Sequence, residues 1–140
     1  MTHFSIRRQH EIHAGHRIYG HQGQCSHLHG HSYIFHFFCS NNTLDTLGMV
    51  IDFAVIKNTL CKWLDDNYDH RMLLWSEDPL AVKLQQLDSS VVIVPYNPTA
   101  ENIAHYLLTD IGPQLLKDTS VILSKVIVEE GSKSSAICEV

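Results

Sequence analysis

Histidine supplies most of the reactive chemistry in this chain. Of 140 residues, 11 are histidine, against 10 Lys and Arg together. Nine of the 11 lie within the first 36 positions, at 3, 10, 13, 16, 21, 27, 29, 31 and 36. His29 and His31 are two apart. On a strand, such neighbours project to one face, so both imidazoles can reach one ion. A third ligand must come from elsewhere. His16 is the best placed, because a hairpin brings the end of a first strand beside the start of a second. Six other early histidines compete for the role. Three neutral imidazoles leave one tetrahedral zinc position open, as catalytic zinc requires. Other zinc patterns are absent. HEIH at 10–13 is not HExxH, and no PCxxC follows.

Cys25 sits in the polar, glycine-containing stretch QGQCSHLHGH, beside three histidines. Two readings follow. Cys25 with His16, His29 and His31 makes a closed four-ligand zinc that only holds the loop. Alternatively Cys25 stays off the metal and its thiolate acts as a base. The other cysteines, Cys39, Cys61 and Cys138, read as small buried or half-buried hydrophobes. Asp69-His70 is a second pair, since a carboxylate can fix an imidazole's tautomer and raise its basicity. A solvated helix end is the plainer account of that dipeptide. Glu129 and Glu130 end an apolar run. Either is a solvated strand end, or one of them accepts two hydrogen bonds from an amino-heterocycle. Spacing does not choose between them.

These groups need elements to position them. Phe4 to Ile12 alternates with Phe4, Ile6, Arg8, His10 and Ile12 on one side, and predicts a strand. His29 to Cys39 predicts another, with His29, His31, Tyr33, Phe35, Phe37 and Cys39 on one face. Asp52 is the expected N-cap of a helix running to about Tyr68, with Phe53, Ile56, Leu60, Trp63 and Leu64 on its stripe. Val91 to Val94 is a brief strand. A second helix starts near Thr99, and Gly112-Pro113 should kink or end it. Val121 to Glu130 is the last strand, with Ile122, Val126, Val128 and Glu130 on one face and Glu129 on the other. The order β, β, α, (β), α, β suggests α+β with an antiparallel sheet.

Composition narrows the function classes. Net charge is −5 with histidines neutral, so long-range attraction for phosphate backbones is missing and nucleic-acid binding is not expected. No apolar run reaches membrane-span length, and the N-terminus lacks the apolar stretch of a signal peptide. A reducing cytoplasm, free thiols and one domain over residues 1–140 are the expectations.

Taken in order, HAGHRI (13–18), CSHLHGHSY (25–33), GMVIDF (48–53), DH (69–70), NPTAEN (97–102) and VIVEE (126–130) resemble the 6-pyruvoyltetrahydropterin synthase / 6-carboxytetrahydropterin synthase family. The likeness covers nearly the whole chain. It implies the tunnelling fold, a four-stranded antiparallel sheet with two helices on one face. Trimers of that fold join their sheets into a barrel and stack as hexamers, with active sites between subunits. It also implies that His16, His29 and His31 hold Zn2+, that Cys25 is the catalytic base, and that Asp69 and His70 form a second acid–base pair. Glu130 then anchors the pterin ring, with Thr99 near its pocket. The implied substrate is 7,8-dihydroneopterin triphosphate. The CxxxHGHS spacing resembles the bacterial carboxy branch, which yields 6-carboxytetrahydropterin, a queuosine precursor, and releases acetaldehyde and triphosphate. The pyruvoyl branch, which eliminates triphosphate only, is the alternative, and a non-catalytic zinc- or pterin-binding paralogue is another. Arg17 and His27 are the nearest candidates in sequence for meeting the triphosphate. One position departs from the resemblance: Gly131 stands where the family usually has Thr after the anchoring Glu.

Overall fold

The computed structural model describes residues 2–140. Its elements in chain order are β1 (Phe4–His16), a 3-10 turn (Gln24–Ser26), β2 (His29–Asn41), helix α1 over 53–67, β3 (Met72–Trp75), α2 (Ala81–Leu87), β4 (Val92–Val94), α3 over 100–115, β5 (Ile122–Glu130) and β6 (Ser134–Glu139). The strands form one six-stranded sheet in the order β4-β3-β1-β2-β5-β6. Pairing is antiparallel from β1 through β6. β3 joins β1 in parallel, and β4 joins β3 in parallel.

The sheet is therefore larger than the four antiparallel strands expected, and it is mixed. β3 is the four-residue run MLLW, too short to show a period. β6 buries only Ala136 fully, so its apolar alternation is faint.

β1 runs four residues past its predicted end at Ile12. The extension keeps the alternation, so Ala14 and His16 share the inward side with Ile12. Both predicted helix starts hold. The Ala54 amide donates to Asp52 Oδ1 at 2.8 Å, and the Asn102 amide donates to Thr99 Oγ1 at 3.1 Å. Phe53, which heads the expected stripe of α1, is instead 51% exposed. Pro113 does not end α3. The helix widens into a π segment at Leu107–Ile111 and continues through Gly112–Leu115. Gly112 packs directly on β5: a Cβ there would stand 2.4 Å from Leu123 Cδ2.

α1 and α3 cover one face of the sheet. The core joins Ile12, Phe35, Phe37, Val126 and Val128 from the strands to Ile56, Leu60, Leu64, Ile103 and Leu107 from the helices. Cys39 and Cys61 are buried there as free thiols, and burial pushes Cys39 up to about 12. The opposite face carries Arg7, Gln9, His13, Ser32, His36, Lys125 and Glu129 over β1, β2 and β5, while at its β3–β4 edge α2 packs on it, Ala81 and Leu84 closing a second, smaller core with Leu74 and Val91.

One register irregularity redraws the face expected for β5. Phe38 pairs with Lys125 but Cys39 pairs with Leu123, so Ser124 is an extra residue. The bulge turns Leu123 inward beside Val126 and leaves Ile122 59% exposed. Beyond it the expected alternation stands, and Glu130 and Glu129 point to opposite sides.

β5 and β6 are joined through Gly131, whose φ is +70°. That left-handed conformation suits glycine and disfavours β-branched side chains. The Thr that the resemblance leads one to expect would be strained in this turn. Gly131→Thr should lower stability by about 1–2 kcal/mol, and Gly131→Asn by less. Urea denaturation of the two variants checks this, and an unchanged midpoint for the Thr variant would show that the turn does not depend on glycine.

Candidate active site

The antiparallel register places His16 directly across from His29. His31 follows on the same face of β2. Their ring centroids lie 4.6 Å (His16–His29), 5.1 Å (His16–His31) and 4.9 Å (His29–His31) apart. One ring nitrogen from each lies within 4.8 Å of the others, so the three can hold one metal ion.

Two backbone carbonyls set the tautomers. His16 Nδ1 faces the Pro98 carbonyl at 2.6 Å, and His29 Nδ1 faces the His27 carbonyl at 2.7 Å. A carbonyl only accepts, so each Nδ1 carries the hydrogen and each Nε2 keeps a lone pair. Metal-binding histidines use this arrangement of a fixed outer hydrogen bond. The two Nε2 atoms then face each other at 3.1 Å. His31 Nε2 is buried without a hydrogen-bond partner. Glu130 Oε1 stands 3.1 Å from both His16 Nε2 and His31 Nε2. So many electron pairs converge stably only on a positive charge, and the donor set fits a metal cation. Burial lowers His31 from the ordinary imidazole value despite the attraction of Glu130, favouring the neutral, ligating form.

Cys25 lies outside the metal-holding group. The closed four-ligand arrangement is not formed. The thiol is exposed and lines a cavity of about 450 Å3 with Gln24, His27, Leu28, His29 and His31.

Asp69 and His70 do face each other. His70 Nδ1 lies 3.0 Å from Asp69 Oδ1. The backbone makes this possible: His70 has φ +59°, the only positive value at a non-glycine among the described residues. Both residues grip His13 on β1. The His70 amide donates to the His13 carbonyl at 2.6 Å, and the His13 amide donates to Asp69 Oδ1 at 3.0 Å. Partial burial works to raise Asp69, but the His13 amide and the His70 ring together hold it below the usual range. The His70 side chain is 76% exposed and lines a cavity of about 560 Å3 with His13, His31, Ser32 and Arg71.

The two terminal carboxylates of β5 divide cleanly. Glu130 joins the imidazole group and lines a third cavity, of about 250 Å3, with Glu101 and Ser135. Glu129 lies on the opposite face, 2.5 Å from His36 Nε2. Thr99 caps α3 through its hydroxyl, and its neighbours Ala100 and Glu101 are the ones that line the Glu130 cavity. Within one chain, Cys25, His70 and Glu130 thus border three separate cavities, and His31 lines the first two.

Two further side chains shape this region. Tyr33 continues the His29–His31 face and lies 5.5 Å from the His31 ring. Its hydroxyl is buried without a hydrogen-bond partner; burial, with the Glu130 charge, pushes it well above the usual phenol value. The strand alternation already put Tyr33 on that face. Arg17 is not available to a phosphate. Its guanidinium is taken by buried Asp78, at 2.6 and 2.8 Å. No sequence signal links these two residues, and the carbonyls of Pro98 and His27 are equally silent in sequence.

Comparison with known proteins bears on the family and the fold. A protein of Rickettsia felis named 6-carboxy-5,6,7,8-tetrahydropterin synthase is 40% identical over 127 residues, 88% of this chain and 91% of that one. One of the same name from Haemophilus influenzae is 30% identical over 143 residues, 97% of both chains. Among solved structures, an uncharacterised protein from Wolinella succinogenes superposes with a TM-score of 0.86 at 23% identity, covering 99% of both chains. The 6-pyruvoyl tetrahydropterin synthase of Caenorhabditis elegans gives 0.70 at 24% identity, covering 100% of this chain and 97% of that one. These superpositions show the α+β tunnelling fold, here with six strands. Residues 5–140 match the profile of the family described as 6-pyruvoyl tetrahydropterin synthase. The chain belongs to that family.

Proposed function

We propose that this protein is a zinc-dependent 6-carboxy-5,6,7,8-tetrahydropterin synthase acting on 7,8-dihydroneopterin triphosphate. The observation that carries the reading is the group of His16, His29 and His31, two of them locked by backbone carbonyls, in a chain that is 40% identical to a bacterial relative of that name. Zn2+ held by these three imidazoles supplies Lewis-acid polarisation of the substrate's side-chain hydroxyls.

The chain's own residues do the rest. Glu130, held ionised, accepts hydrogen bonds from the amino-pyrimidine edge of the pterin, with the start of α3 at Thr99 closing that pocket. Cys25, as thiolate, takes a proton from the side-chain carbon. His70, with Nδ1 fixed by Asp69, presents Nε2 for the opposite transfer. Triphosphate leaves, and one water adds to the side-chain carbon next to the ring, so that breaking the bond beyond that carbon leaves the carboxylate and releases the two outer carbons as acetaldehyde.

Cys25 and His70 border different cavities of one chain, and both are exposed. This supports a site completed between subunits, with the assembly a hexamer of stacked trimers. The cytoplasm is the proposed compartment; among the described residues, no helix is long and apolar enough to cross a membrane.

Incubating the zinc-loaded protein with dihydroneopterin triphosphate should yield acetaldehyde and 6-carboxytetrahydropterin. Pyruvoyltetrahydropterin without acetaldehyde would move the protein to the pyruvoyl branch. Binding without turnover would leave it a pterin-binding paralogue.

Two substitutions separate the metal from the base. His29→Ala should abolish zinc binding, measured by metal analysis after dialysis. Cys25→Ala should keep zinc and fold while turnover falls by about 10²- to 10⁴-fold. Zinc loss in the Cys25 variant would return Cys25 to the ligand set.

A further inference from the structure

The segment that carries Cys25 has little structure of its own. Its only regular element is the three-residue turn Gln24–Ser26, which contains no buried residue. A thiol that must meet one carbon atom needs firmer placement than that. Three bonds fasten the segment. The Ile18 amide donates to the Cys25 carbonyl at 2.7 Å. His29 Nδ1 donates to the His27 carbonyl at 2.7 Å. Arg17 Nη1 donates to the Ser26 carbonyl at 3.4 Å.

The third bond differs from the others in what stands behind it. Arg17 follows His16 directly. Its Nε donates to Asp78 Oδ2 at 2.6 Å and its Nη2 to Asp78 Oδ1 at 2.8 Å, a bidentate fork. The plane of the guanidinium is thereby fixed, and Nη1 is the edge left to reach Ser26. Asp78 is itself held. Its side chain has no exposed surface, and Oδ1 also accepts from the Leu80 amide at 2.9 Å. It belongs to the turn after β3, where its amide donates to the Trp75 carbonyl at 2.9 Å and its carbonyl accepts from Ala81 at 3.0 Å. Tyr19 packs under the guanidinium at 5.5 Å, and its ring is 6.4 Å from that of Trp75.

Stability alone does not require such a pair. Desolvating two charges is costly, and well-packed apolar residues often replace a buried ion pair without loss. An apolar pair cannot supply a donor to the Ser26 carbonyl. We propose that Arg17, locked by Asp78, is a positioning residue for the Cys25 thiol, tying the Cys25–Ser26 backbone to the strand end that bears His16. The proposal rests on Cys25 being the base in the reaction proposed above.

The test uses the full-length, zinc-loaded protein and three variants: Arg17→Lys, Asp78→Asn, and the double replacement Arg17→Met with Asp78→Leu. Lys keeps the charge but not the fork. The double variant keeps the turn packed without a buried lone charge. Four quantities are measured: melting temperature, zinc content, kcat and KM for dihydroneopterin triphosphate, and the iodoacetamide alkylation rate of Cys25, resolved from Cys138 by peptide mass spectrometry. Zinc content should be unchanged and KM should stay within about threefold, while kcat falls by about 10- to 100-fold. The Cys25 alkylation rate should change and that of Cys138 should not. Wild-type kcat and alkylation in the double variant would overturn the proposal. So would a raised KM with unchanged kcat, which marks a substrate ligand. Loss of fold or zinc in all three variants would assign the pair a structural role only, and also overturn it. Cys25→Ala serves as the control. If that variant turns over normally, the base reading fails, while alkylation still reports where the wild-type thiol stands.

Discussion

The antiparallel ladder between β1 and β2 pairs Gly15 with Gly30 and His16 with His29. This register decides whether there is a metal-holding group at all. Side chains alternate with period two, so a slip of one residue would turn His16 to the opposite face and leave His29 and His31 without their partner. The rest of the sheet holds the ladder in place. Tyr33, Phe35 and Phe37 continue the inward face of β2 into the core, and all three are at most 2% exposed. Moving the register would expose them. Apolar burial thus fixes a polar geometry that the imidazoles alone have no means to enforce.

The same alternation sorts the acidic groups. Glu130 is directed to the imidazoles and Glu129 to His36, although they are neighbours in sequence. His36 Nδ1 lies 2.8 Å from Arg7 Nη1. An arginine only donates, so Nδ1 accepts and Nε2 carries the hydrogen toward Glu129. His36 is thus engaged on both sides. Two histidine–glutamate contacts lie on opposite faces of one sheet, and they differ in character. One is a converging set of acceptors; the other is a closed chain of donors and acceptors.

Much of the site was legible in sequence because strand periodicity is strong where it matters. His29, His31 and Tyr33 share a face by simple alternation, and a hairpin sufficed to propose His16. Asp52 and Thr99 were readable as helix starts from residue type and the apolar stripe behind them. The unread features depend on contacts between distant segments. The parallel pairing of β3 with β1 and the fork from Arg17 to Asp78 leave no local pattern. The Ser124 bulge is a register event between two strands, so the alternation of β5 alone placed Ile122 on the wrong side. Pro113 looked like a helix end because its missing donor is a local property, whereas the π segment ahead of it, through which the helix continues, has no residue-type signal. Seven histidines, at 3, 10, 13, 21, 27, 36 and 105, had no firm assignment from sequence. His13 and His27 serve largely through backbone atoms, and His36 and His10 are paired with carboxylates, His10 Nε2 lying 2.6 Å from Asp65.

The three imidazoles all come from positions 16 to 31, within one hairpin, whereas Glu130 reaches them from the far end of the chain. Closing a short loop costs less conformational entropy than closing a long one, and folding rates follow that separation. The hairpin that assembles the imidazole group is therefore the contact nearest to hand for a chain that is still collapsing. The carboxylate arrives only when β5 docks on β2, after both helices have been crossed. The two halves of the site thus close loops of very different length, a short one within a single hairpin for the imidazoles and one that spans both helices for the carboxylate.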